Sequence, residues 1–116
     1  MSWRVELLPE VSDWLAKLNQ RDYEHNLIAL KMLEDEGPRL GRPFVDHVKG
    51  SIFPNMKELR PLGGNLRLLF AFDPERNAIV LVAGDKSNDR TDWYKRNIRI
   101  ADQRFSACLL RMKREA

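Results

Sequence analysis

The chain has 116 residues, 43% of them hydrophobic and 32% charged, with a net charge of +3. That balance excludes a disordered chain, and the length suits one domain with its own core, spanning residues 1–116. A lone cysteine, Cys108, excludes an intrachain disulfide, no apolar run reaches the ~20 residues of a membrane helix, and MSWRVELLPE has no secretory h-region, so the expected location is the cytoplasm.

Residues 2–8 open as a strand, with Trp3, Val5 and Leu7 alternating against Arg4 and Glu6. Pro9 stops that strand and suits the first position of a helix, which Val11, Leu15 and Leu18 carry to residue 18. Residues 19–22 break it, with Asp22 as the expected N-cap of a second helix. Tyr23, Leu27, Leu30, Met32 and Leu33 mark that helix, and Gly37-Pro38 ends it at Glu36. The pair forms a hairpin that lays one apolar face on a sheet, with Tyr23, Leu27 and Leu30 buried against it. Residues 38–54 are a connector rich in Gly and Pro.

Three strands follow at 56–60, 66–72 and 78–83, joined by turns at 61–65 and 73–77 whose Pro, Gly, Asn and Asp supply turn backbone angles. Such short links make an antiparallel meander, with Leu69, Val80 and Val82 in the core. A last helix is expected from about Asn97, since Ile98, Ala101, Phe105, Cys108, Leu109 and Met112 recur at steps of three or four. The fold class is α+β in the order β-α-α-β-β-β-α: two N-terminal helices packed on a small, mainly antiparallel, twisted sheet, plus a C-terminal helix.

Standard catalytic constellations are missing. Gly63-Gly64 lacks the lysine and hydroxyl of a phosphate loop, and His25, His47 and Cys108 have no metal-ligand spacing, so neither cofactor nor metal is expected. What remains is a set of cations and aromatics. Residues 86–116 hold nine Lys and Arg against four Asp and Glu, an excess larger than that of the whole chain, and basic clusters attract phosphate. Arg67 is the one charge in the strand 66–72, with no carboxylate two residues to either side. Lys57 and Arg67 lie on neighbouring strands and are expected to share a face, where two cations invite an anion. Glu58 and other carboxylates neutralising them is the alternative. Trp93 and Tyr94 either stack an unpaired base or pack the last helix.

Those residues carry a resemblance. MKELR at 56–60 and RLLF at 67–70, in this order of elements, resemble the RelE/HigB toxin superfamily, and VAGDKSNDRTDWY at 82–94 resembles its phage-derived HigB-like branch. The resemblance covers most of the chain and is strongest from residue 49 to 105. It implies the toxin of a bacterial type II toxin–antitoxin pair: a ribosome-dependent mRNA endonuclease (mRNA interferase) that inhibits translation, held silent by a HigA-like helix-turn-helix antitoxin. Cleavage would proceed without metal, by attack of the RNA's own 2′-OH on the adjacent phosphate.

Carried over by motif, Arg60 and Arg67 bind the phosphate, Lys57 is a further clamp or base, and Lys86 sits across the site. Tyr94 is acid, base or stacking platform, Trp93 a stacking platform, and Lys95 and Arg96 contact RNA. Some superfamily members use a C-terminal tyrosine or several histidines as acid and base. The stretch here is Asp92-Trp93-Tyr94-Lys95, so acid and base stay unassigned. The competing reading is a non-catalytic toxin or regulator that binds gyrase or nucleic acid.

Overall fold

In the computed structural model, which describes residues 2–116, the chain runs β1 (Val5–Leu7), α1 (Pro9–Ala16), α2 (Gln20–Glu36), β2 (Val45–His47), β3 (Lys57–Leu59), β4 (Leu66–Phe72), β5 (Ala78–Asp85) and α3 (Arg90–Glu115). The strands form one sheet in the order β1-β5-β4-β3-β2. β1 joins β5 in parallel, and every other neighbouring pair is antiparallel. The β3-β4-β5 meander is the expected one. β2 is new: three residues of the connector pair with β3, Val45 opposite Leu59 and His47 opposite Lys57.

Local chemistry explains the boundaries. Pro9 begins α1. Asn19, not Asp22, caps α2: its side chain accepts the Asp22 N–H at 2.8 Å, and Asp22 stands in the first turn, where a negative charge suits the helix dipole. α2 ends at Gly37, whose φ is 56° and against which the Trp3 ring packs so closely that a Cβ would overlap it. α3 begins at Arg90, well before Asn97, so Trp93 and Tyr94 lie on its first turns rather than in a loop.

The sheet is covered on both faces. On one, Val11, Ala29 and Leu33 pack against Leu59, Leu68, Phe70 and Val80. On the other, Ile98, Ala101 and Phe105 of α3 pack against Met56, Leu69, Ala71, Ile79 and Leu81. Leu69, Val80 and Val82 are buried as expected. Tyr23 and Leu27 are not, at 39% and 42% exposure, and Leu30 is half-buried. α2 turns Asn26, Ala29 and Leu33 inward, so the neighbouring stripe of larger residues lies on its rim.

One irregularity decides which residues meet α3. Leu69 pairs with Val82 but Phe70 with Val80, so Leu81 is an extra residue in β5. Both Leu81 and Val82 then face α3. The Leu81 carbonyl accepts Nη1 of Arg104 on α3 at 2.7 Å. Beyond the bulge every side chain changes face. Ala83 joins the α1/α2 core, and Gly84 turns to α3, where Trp93 lies against it.

Candidate active site

At the open end of the α3 face, β3, β4, β5 and the start of α3 converge. Glu58 and Arg60 are two residues apart and therefore point the same way. Glu58 is 3% exposed, and Nε and Nη2 of Arg60 both lie 2.7 Å from its Oε1. Arg60 also reaches Asp46 of β2 at 3.4 Å, and Arg42 holds the same carboxylate at 3.1 Å. Burial alone would lower Arg60, but Glu58 and Asp46 outweigh it and hold the guanidinium above its ordinary value.

Arg67 is held differently. Its Nη1 donates to the carbonyls of Leu66 at 2.7 Å and Gly64 at 3.2 Å, while its buried Nε has no partner. Among the described residues it makes no ion pair with a carboxylate. Lys86, 8% exposed, has its Nζ 3.5 Å from Asn65 Oδ1. Burial and then the charges of Arg67 and Arg90 push the Lys86 ammonium below its ordinary value. Tyr94 completes the group. Burial and then the Glu58 carboxylate push its phenol up to about 12, with Arg67 pulling the other way. A phenol held there keeps its proton near neutral pH and is able to donate a hydrogen bond.

The arrangement joins Arg60, Arg67, Lys86 and Tyr94. It separates two other expected residues from them. Lys57 points to the opposite face, its Nζ 5.6 Å above the Phe72 ring, because successive strand residues alternate. Lys57 and Arg67 therefore do not share a face. Trp93 is 6% exposed, packed on Gly84 and edge-on to Tyr94 at 5.2 Å, so it is a core residue with no open ring face for a base. Lys95 and Arg96 are exposed on α3, and Arg96 reaches Asp89 at 3.5 Å. Glu58 is the group that sequence reading treated only as a neutraliser. Its spacing of two from Arg60 was the available signal.

A positive site with one enclosed carboxylate and one protonated phenol has the chemistry to attract an anion and to exchange a proton beside it. The family model described as phage derived protein Gp49-like matches residues 13–106. The chain belongs to that family. It lies within the RelE/HigB toxin superfamily. Among curated relatives, a Mycobacterium tuberculosis protein named as a candidate toxin, HigB3, is 54% identical over 86% of this chain and 88% of its own length. Another from the same organism, named as a candidate toxin, HigB2, is 45% identical over 91% of this chain, which spans 54% of that longer protein. Among solved structures, the archaeal RelE–RelB complex from Pyrococcus horikoshii contains a chain that superposes with a TM-score of 0.60 at 23% identity, covering 76% of this chain and 99% of that one. At that identity the likeness speaks to the fold, and the fold of this Gp49-like chain is that of RelE.

Proposed function

We propose that this Gp49-like protein is the toxin of a bacterial toxin–antitoxin pair and cuts mRNA on the ribosome, in the cytoplasm, through the RNA's own 2′-OH. The carrying observation is that Arg67 and Lys86, side by side on the α3 face, form no ion pair with a carboxylate among the described residues, while Glu58 is engaged on one oxygen by Arg60. In this reading the scissile phosphate lies on Arg67 and Lys86. Glu58, through the oxygen that Arg60 leaves free, takes the proton of the 2′-OH. The O2′–P bond forms and the P–O5′ bond breaks, leaving a cyclic phosphate on one fragment and a 5′-hydroxyl on the other. Tyr94, still a phenol, donates to the departing oxygen. Arg60 positions Glu58. The positive charge that a metal ion would otherwise bring comes from the two cations.

Control of such an activity requires a partner, and the HigA-like helix-turn-helix antitoxin is the expected one. The archaeal RelE relative stands in complex with RelB, which supports a dedicated partner here. Co-purification with the product of the neighbouring gene tests it.

The activity is tested by inducing wild type, Arg67→Ala, Arg67→Lys and Glu58→Gln in a bacterial host, with primer extension of transcripts and circular dichroism of each purified protein. Wild type should cut translated mRNA only. Arg67→Ala should fold and lose roughly 10²–10³ in rate, as removal of a transition-state charge donor does. Arg67→Lys should recover part of the rate, since lysine keeps the charge without the planar fork. Glu58→Gln should lose roughly 10²–10⁴. A folded Arg67→Ala protein that cuts like wild type removes the proposed phosphate from this site. Growth arrest without any cut transcript favours a gyrase or other binding target instead.

A further inference from the structure

Beside the active site a groove of about 520 Å³ runs between residues 49–52 and α3, within the size range of small-ligand clefts. Thr91, Tyr94, Lys95, Ile98, Arg99 and Asp102, at helical steps of three and four, form its α3 side. Lys49, Gly50 and Ile52 form the other. Asp102 ties the two walls together. Its carboxylate, 8% exposed, accepts the Ser51 hydroxyl at 2.5 Å and the Ile52 N–H at 3.0 Å, so the one negative group in the groove is spent on the loop.

Two features say what fits there. The first is charge. Lys49, Lys95 and Arg99 stand exposed around the groove, and none of them makes an ion pair among the described residues. Three unpaired cations flanking an apolar floor match a polyanion with flat apolar rings between its charges. The second is continuity. Tyr94 lines this groove and also stands beside Glu58 and Arg67. Ile52 is 73% exposed at the lip, an apolar surface left open to solvent.

We infer that this groove seats the nucleotide next to the scissile phosphate, its base against Ile52 and Tyr94 and its flanking phosphates on Lys49, Lys95 and Arg99. The inference rests on the cleavage reading above and gives the RNA its path out of the site. It also replaces Trp93 as the base-contacting group: the open surface is one helical face further round, at Tyr94 and across to Ile52.

The test uses ribosomes programmed with an mRNA carrying 4-thiouridine in the A-site codon and a 2′-deoxy sugar at the cleaved position, so that contact is read without cleavage. After irradiation with wild-type protein, crosslinked peptides are mapped. Peptides containing residues 49–52 and 91–99 are expected. In parallel, the double variant Lys95→Glu, Arg99→Glu is assayed on cleavable mRNA. Its KM should rise about tenfold or more, the equivalent of one lost charged contact, with kcat within about twofold of wild type. Arg67→Ala should show the opposite split. Both substituted side chains are exposed, and an unchanged melting temperature confirms the fold.

Crosslinks confined to other peptides, no crosslink at all, or a wild-type KM in the double variant overturns the inference. So does a groove that takes an acidic antitoxin segment and no RNA. Groove crosslinks, with the cleavable mRNA left intact by the wild-type protein, uphold RNA in the groove while removing the cleavage reading. Cleavage without groove crosslinks does the reverse.

Discussion

Lys86 is the residue at which stability and the proposed activity should pull apart. Its ammonium is enclosed beside Arg67 and Arg90, with the Asn65 amide oxygen at 3.5 Å and the Glu58 charge as a weaker counterweight. Burial first, and the two arginines next, hold it below the ordinary 10.5. The native state therefore carries a penalty for charged lysine at every pH below that depressed value. The penalty is relieved as pH rises through it towards 10.5, because the unfolded chain binds the proton more tightly over that window. A phosphate lying on Arg67 and Lys86 would relieve it at neutral pH. Lys86→Met should consequently melt at or above the wild-type temperature at neutral pH, with the difference shrinking as pH rises through the Lys86 titration towards 10.5. The same variant should lose roughly 10²–10³ in cleavage. Thermal melts across pH, beside primer extension, check both halves. A variant clearly less stable at neutral pH shows that the ammonium is a structural pin on Asn65.

Among elements, the bulged strand β5 and the start of α3 form one unit. The extra residue Leu81 turns Gly84 to α3, and Trp93 presses on that glycine so that Tyr94 falls beside Glu58. A Cβ on Gly84 would lie 2.8 Å from Trp93 Nε1. Gly84 has no unusual φ, so contact alone decides the sign: Gly84→Ala should cost about 1–3 kcal/mol by overpacking, more than the few tenths to one that a stiffer unfolded chain returns. It should also lift Tyr94 from Glu58 and slow cleavage. Denaturant titration and the shift of the Trp93 indole N–H in NMR spectra report the two effects. A variant as stable and active as wild type removes this contact from the account.

The same elements show what the sequence could tell. β4 was legible to the residue because turn formers bound an apolar run, and Arg67 stood out inside it. The bulge was not legible, since Leu81 and Val82 are both apolar and a shift of pairing leaves no mark in such a run. Lys57 was misplaced because adjacency on paired strands says nothing about face until the register is known. The start of α3 was hidden in a polar stretch, where Asp89 at the N-cap makes no side-chain capping bond. Glu58 was visible as a charge and hidden as a site, because its burial depends on α3 coming back over the sheet.

On the scale of the whole molecule, the sheet keeps its two jobs on two faces. The α3 face carries the charged site at one end. The α1/α2 face is the apolar support on the other side, and α2 meets it through Asn26, Ala29 and Leu33. This fixes which leucines of α2 the fold needs. Leu33 is 0% exposed and packs with Leu59, Leu68 and Phe70 under the sheet. Leu27 is 42% exposed and lies outside that cluster. A carboxylate at Leu33 would be buried without a partner, at a cost of several kcal/mol against a total stability of roughly 5–15 kcal/mol for a domain. At Leu27 it would stay in water. Leu33→Asp should therefore be unfolded at 25 °C, the temperature to which those magnitudes refer. Leu27→Asp should unfold in guanidinium within about 0.5 kcal/mol of wild type, as exposed substitutions do. Because the site lies on the other face, the folded Leu27→Asp protein should also cut mRNA at the wild-type rate. Equal destabilisation by both substitutions would mean that α2 is rotated in solution, with the Tyr23–Leu27 stripe turned inward. Loss of cleavage by a fully folded Leu27→Asp protein would mean that the two faces of the sheet are coupled.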